Sequence, residues 1–486
     1  MLPSLDPWCG LNSVTVSAHT RASATSSLSI SPHAVFVELE LELRGRRATL
    51  HGRDGEPRRP GEHRSRVARM RELLLRRLFA PVVLIVLAVV PAACGTTTTH
   101  HGATPPDNLH ESTRAGAAAL GARRPPPSPP CTQTVSSPSA AASALGSAAA
   151  GTAICLSAGS YGPLELSGTH AGNVTIEPVP GATASLEGVG VAADSSYITI
   201  HNFHISGGVS LAAGDSHITV DHNDIDGEGP GGGGEGVQDV TVNCTAPNAP
   251  TYSGCTSTAP DTYLAIDGNE IHGYGQGHTE DAIHLNNWEH VTIAANDIYD
   301  LEEHGNHTDA MQSVFGGHHM TFAYNYEHDN QSQGFFIKDG DASEVTVNDN
   351  LFLRNDNEPS LYPGGEYNVQ VFNTTGFTMT NNTVWDGQDD ILRAEGAAGA
   401  LTANVNHNVE QSFNVLHEGG PAYTLHHSYN IFREAPWTIP LGAHSRVIRR
   451  PRFRDPRAGD YRLARNPHHI GVNWQPSEFV YGPTGY

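Results

Sequence analysis

One seven-residue pattern recurs along the chain and constrains its fold more than any other feature. YITIHNF begins at Tyr197, HITVDHN at His217, YLAIDGN at Tyr263, HVTIAAN at His290, HMTFAYN at His319, EVTVNDN at Glu344 and GFTMTNN at Gly376, with weaker copies near Leu401 and Thr424. Each is a short alternating, β-branched strand, and the Asn residues that close them stand at 223, 269, 296, 325, 350, 382, 406 and 430. The gaps are 46, 27, 29, 25, 32, 24 and 24 residues. A period near 25 with two short strands and no helical stretch describes one coil of a β-solenoid. A hairpin sandwich would instead place turn signals every 8 to 12 residues or so, without register-matched Asn. At a sharp corner Asn tolerates left-handed backbone, and its amide can bond to the Asn of the coils above and below. The Asn column is therefore structural.

Two gaps exceed the period. The first holds GEGPGGGGEG (227–236) and the segment between Cys244 and Cys255, the second NDNEPSLYPGGE. Such excursions wall a groove on one face of a solenoid. The 69 residues before Met70 alternate Ser-rich and Arg-rich stretches with no apolar period, and stand outside the fold. Met70 to Cys94 has the layout of an export signal: Arg71, Arg76 and Arg77, an apolar run from Leu78 to Val90, then Ala92 and Ala93. The run is shorter than the roughly 20 residues that span a bilayer. Cys94 fits a lipid attachment site or simple cleavage, and both stay open. Residues 95–130 read as a Thr- and Pro-rich tether, and 131–486 as one solenoid domain.

Beyond residue 94 the chain carries 15 basic and 43 acidic residues, a net charge near −28. That repels nucleic acid and suits divalent cations. Four cysteines remain there, in two local pairs, Cys131 with Cys155 and Cys244 with Cys255. In an oxidising compartment these predict two short-loop disulfides.

A second strand family lies between the Asn positions: EDAIHL (280–285), HTDAMQSV (307–314), QGFFIKDG (333–340), EYNVQVF (366–372) and DDILRAEG (389–396). Stacked in register, it predicts one column with Asp281, Asp309 and Asp390 and another with His284, Gln312, Lys338, Gln370 and Arg393. Lys338 is the only lysine in the chain, and between Pro125 and Phe432 the other cations are Arg354 and Arg393. Unlike Arg, Lys can be tuned into a base, so Lys338 is a candidate catalytic residue; its bland alternative is a surface pair with Asp339 or Asp309. The many His at repeat positions, among them His201, His217, His222, His290 and His319, read as packing residues.

The coils, the Asn column and the stacked polar strands resemble the pectin-lyase-like superfamily of right-handed parallel β-helices, from Cys131 to the end. That resemblance implies a protein acting on polysaccharides, foremost a lyase or epimerase on a uronate-containing glycan. It also implies that GDYRLARNPHHIGV (459–472) caps the last coil, with the arginines at 446, 449, 450, 452 and 454 packing on the last acidic coils or forming a binding patch. For β-elimination it implies Asp281, Asp309 and Glu280 as ligands of a calcium ion, Lys338 as base and His307 or His284 as proton donor. Asp309 also stands as a catalytic carboxylate beside Asp281 in a hydrolase reading. Gln312, Gln370, Arg393 and Arg354 would bind the sugar. Two alternatives remain open: a glycoside hydrolase, although the GHG motif of that group is absent, and a non-catalytic glycan-binding solenoid. An exported location, outside the cell or on its surface, follows from the signal.

Overall fold

A computed structural model describes residues 129–227, 235–239, 258–274, 281–302, 308–331, 333–338, 342–355, 367–387, 389–395, 401–418 and 423–484. Residues 1–94 with Cys94, and Cys244, Cys255, Glu280 and His307, lie outside them.

The described residues coil into a right-handed parallel β-helix with three sheets, of 13, 10 and 12 strands among those residues, in each of which a strand pairs in parallel with its equivalent one coil on. The first sheet holds the recurring strands, such as Ser216–Asp221, Trp288–Ala294 and Gly317–Ala323. A corner leads to the third sheet, with Asp297–Tyr299 and Tyr326–His328, and loops then return the chain to the second sheet, with Ile283–His284, Met311–Ser313 and Phe335–Ile337. Strict register stacks like on like. Ile176, Ile200, Val220, Ile266, Ile293, Phe322, Val347, Met379 and Val405 form one interior column of the first sheet. Alternation puts these side chains inside and leaves the Thr, His and Asp between them outside.

The Asn column is a continuous hydrogen-bonded ladder. Each Oδ1 accepts both the backbone N–H and the side-chain amide of the Asn one coil before; from Asn269 to Asn296 the two bonds are 3.0 and 3.0 Å. Each Nδ2 also donates to a backbone carbonyl of the previous coil, as Asn296 does to Ile266. Two details differ from expectation. The penultimate rung is Asn408, bonded to Asn382 and Asn430, whereas Asn406 ends the strand before it. The left-handed residue is the one before each ladder Asn: His222, Gly268, Ala295, Tyr324, Asp349, Asn381, His407 and Tyr429 all have φ between 51° and 68°. The ladder amides, not the backbone tolerance of Asn, hold those corners.

At the N-terminal end the helix Pro138–Leu145, capped by the Ser137 hydroxyl on Ala140 N–H, buries Ala141, Ala144 and Leu145 over the open core. Cys131 and Cys155 are disulfide-bonded beside it, with Cα atoms 5.7 Å apart. At the other end Ile439 enters the core, and Trp437 N–H and Thr438 N–H bond to Asn414 Oδ1. The segment 459–472 therefore does not close the last coil. It contributes Asp460–Leu463 to a small antiparallel hairpin with Phe453–Asp455, and the chain beyond returns along the ladder corner. The arginines at 446, 449, 450, 452 and 454 are exposed to solvent. No helix among the described residues is long and apolar enough to cross a membrane.

Candidate functional site

The outward face of the second sheet gathers most of the polar residues singled out above. Register places His284 beside Gln312, Gln312 beside Phe336, Phe336 beside Gln370 and Gln370 beside Ile391. Lys338 and Arg393 thus fall out of the expected column by two residues each. Both stay on the same face, because a shift of two preserves alternation, and they share the next row with Phe372 between them. Lys338 is exposed and its N–H bonds to Ser313 O at 2.8 Å. At about 4.8 Å per coil and about 3.3 Å per residue, the Lys338 and His284 Cα atoms are about 12 Å apart. The Arg393 guanidinium lies over the Phe372 ring at 5.2 Å and the Tyr367 ring at 5.8 Å. Gln370 is buried with its Oε1 unbonded.

Two residues before these strands, Asp281 and Asp309 stack in consecutive coils, where Asp309 N–H donates to Asp281 Oδ1 at 2.7 Å. Their environments differ. Asp309 is wholly buried, its two oxygens accepting from Gln312 Nε2 at 2.5 Å and Gln333 Nε2 at 3.2 Å, so it orients Gln312 from beneath the surface. Asp281 accepts from His284 Nδ1 at 2.8 Å, and Glu235 stands 3.7 Å from the same nitrogen. Asp281, His284 and Glu235 each offer a ligand atom within 4.8 Å of the other two. Glu235, from the coil before, occupies the place in this carboxylate set that the sequence assigned to Asp309. Asp390, by contrast, points inward and is fully buried beside Glu410. Arg354 belongs to another face: it follows the third-sheet strand Leu351–Leu353 and grips Asp329 with Nε at 2.5 Å and Nη2 at 2.6 Å.

Electrostatics single out the same cluster. Burial alone would lower His284, but the hydrogen bond and charge of Asp281, with Glu235 and Asp239 adding, raise it to about 9. Burial raises Asp281 and Glu235, each reinforced by a neighbouring carboxylate and opposed by His284. At neutral pH the ring is an imidazolium between two acids, a proton donor at the surface with 18 % of its side chain exposed. Glu327 was not legible as a site residue. It occupies an interior position of the third sheet between Ile298 and Phe352, and burial, with the charge of Asp309, lifts it well above the carboxylate range. The sole signal was a Glu in YEH where DIY and EIH carry Ile.

The family model for "right handed beta helix region" matches residues 187–384. That match and the stacked parallel sheets define the chain as a right-handed parallel β-helix protein. Among solved structures, pectate lyase Pel9A is 11% identical, with 65% of this chain and 78% of that one covered and a TM-score of 0.35. A PL6 family polysaccharide lyase from Pseudopedobacter saltans is 14% identical, with 71% and 100% covered and a TM-score of 0.35. DFA-IIIase from Arthrobacter chlorophenolicus A6 is 12% identical, with 58% and 70% covered and a TM-score of 0.31. These likenesses are of fold. No curated protein sequence matches the chain.

Proposed function

We propose that the chain is an exported enzyme that cleaves or epimerises a uronate-containing polysaccharide along the outward face of its second sheet. The observation that carries this reading is the imidazolium of His284 held between Asp281 and Glu235 on the face that also bears Lys338 and Arg393. β-Elimination and epimerisation both begin with removal of the proton beside the sugar carboxylate. Lys338, acting as the base, takes that proton, and the His284 imidazolium gives one to the departing oxygen. Gln312, steered by Asp309, and Gln370 bond sugar hydroxyls, and Arg393 binds a neighbouring carboxylate. Two carboxylates, Asp281 and Glu235, are the hard oxygen donors that calcium selects, and the group has the donors to hold that ion. Bound there, calcium would neutralise a uronate carboxylate and so acidify the adjacent C–H.

The test is a screen of alginate, pectate and glycosaminoglycans with and without chelator, read by the ultraviolet absorbance of the unsaturated product. Loss of about 100-fold or more in Lys338→Ala and Lys338→Arg alike is expected, because Arg keeps the charge but not the base. In His284→Gln, kcat should fall and its decline as pH rises through about 9 should vanish. Reducing ends without the chromophore would overturn elimination in favour of hydrolysis. Tight binding without product would leave a glycan-binding solenoid.

A further inference from the structure

A second group of ligating side chains sits away from that face, where the first sheet turns toward the third near the N-terminal end. His201 ends the strand Ser196–His201, and Asp221 ends the next, directly beside it in register; His222 follows at the corner. His201 Nδ1 lies 2.9 Å from Asp221 Oδ2, and His222 Nδ1 bonds to Oδ1 of the same carboxylate. One ligand atom from each of the three lies within 4.8 Å of the other two. We propose that His201, Asp221 and His222 form a binding site for a borderline-soft divalent metal ion, of which zinc is the type.

Three observations separate this group from the other histidines. Several imidazoles elsewhere along the coils stack face to face, among them His290 and His319 at 4.5 Å and 4°, and His272 and Tyr299 at 5.1 Å and 11°. His201 and His222 instead meet at 65°, with centroids 5.9 Å apart, and each turns its Nδ1 toward the Asp221 carboxylate. Asp224 offers an internal contrast. It also binds two imidazoles, but His204 belongs to the coil before and His272 to the coil after, so the carboxylate separates them and they share no point. The His222 ring is also held in place. His222 has left-handed backbone, φ 51°, and its ring lies against Gly268 of the next coil, where a Cβ would come within 2.6 Å of the ring.

Two imidazole nitrogens and one carboxylate oxygen are a donor set for zinc, cobalt or nickel rather than for calcium. In a tetrahedral shell with bonds of about 2.0 Å, ligand atoms are about 3.3 Å apart, and the three ligand atoms already lie within 4.8 Å of one another. Binding would replace the protons on the two Nδ1 atoms. Asp221 keeps 17 % of its side chain exposed, which leaves access for the ion and a position for water.

The experiment uses the full chain, stripped with chelator and carrying Asp281→Asn to silence the other cluster. Cobalt(II) is added and the visible ligand-field bands are read, then zinc is titrated calorimetrically. The expected result is one equivalent of cobalt with tetrahedral bands, displaced by one equivalent of zinc. In His201→Gln and His222→Gln the affinity should fall at least tenfold. Gly268→Ala should weaken binding while leaving all three ligands in place, and His272→Gln should leave it unchanged. The rise in melting temperature with zinc, measured on each variant, reports both folding and binding. No cobalt bands in the parent protein, or the same zinc affinity in both ligand variants, would overturn the site.

Discussion

At the corner between the second and first sheets, Asp215 and Asp261 occupy the role that Asn has at the ladder corner. Ser195 N–H donates to Asp215 Oδ1 at 2.8 Å, and Asp215 N–H to Asp261 Oδ1 at 2.9 Å, so one oxygen of each acts as a rung. The other oxygen, Oδ2, is buried without a hydrogen bond in both. Burial lifts Asp215 to about 7, and burial with the charge of Asp239 lifts Asp261 to about 8. For a carboxyl raised on folding, the native state keeps its proton while the unfolded chain loses it near pH 4. Stability therefore declines as pH climbs from about 4 to about 8. Asp261→Asn keeps the rung oxygen and removes the ionisation. It should stabilise the protein by about 1–3 kcal/mol at pH 8 and by little at pH 4.5, as read from urea unfolding at the two pH values. An equal gain at both would show that the carboxyl does not titrate in this window.

At the level of the strand, exact stacking leaves little room for change. Gly317 opens the strand Gly317–Ala323 and pairs with Trp288 of the coil before, whose indole is buried with Nε1 bonded to Ser313 Oγ at 2.9 Å. A Cβ at Gly317 would drive into that indole, which packed neighbours hold in place. Gly317→Ala should cost about 2–4 kcal/mol and alter tryptophan fluorescence; a loss below about 0.5 kcal/mol would mean the ring has room to move. The same strictness explains what the sequence disclosed. A β-branched strand and an Asn repeating every 25 residues or so identify coil, face and ladder, because each coil must reuse the same solution. The row a residue takes along the second sheet was less legible. The connections that leave that sheet for the first differ in length from coil to coil, so counting back from Asn slipped by two at Lys338 and, with Asn406 taken for the rung at Asn408, at Arg393, which kept the face and lost the column. Glu235 stayed hidden because its neighbours are the glycines of an excursion rather than a repeat strand, and Arg354 was misplaced because an isolated cation carries no sign of which sheet it follows.

Across the whole molecule, solenoid coils touch only their neighbours, so nothing in the stacking itself joins the first coils to the last. The C-terminal segment does. Gly471 N–H bonds to His407 O at 2.6 Å, Val472 N–H to Thr383 Oγ1 at 3.1 Å and Trp474 Nε1 to Asp349 O at 2.6 Å. Gly482 N–H then bonds to Gly268 O at 2.8 Å, and Thr484 N–H to Asn202 Oδ1. These contacts fall on the left-handed corner residues of earlier coils or, at Thr383, two residues past one, and Trp474 and Phe479 pack their rings against Tyr324. A segment of some fourteen residues thus ties together coils that lie about 200 positions apart in sequence. Independent coils would unravel from an end, whereas strapped coils must part together. Truncation after His469 should therefore broaden the thermal transition or split it in two and lower the urea m-value, beyond a mere loss of stability. A sharp single transition with the m-value unchanged would show that the coils cooperate through their stacking alone.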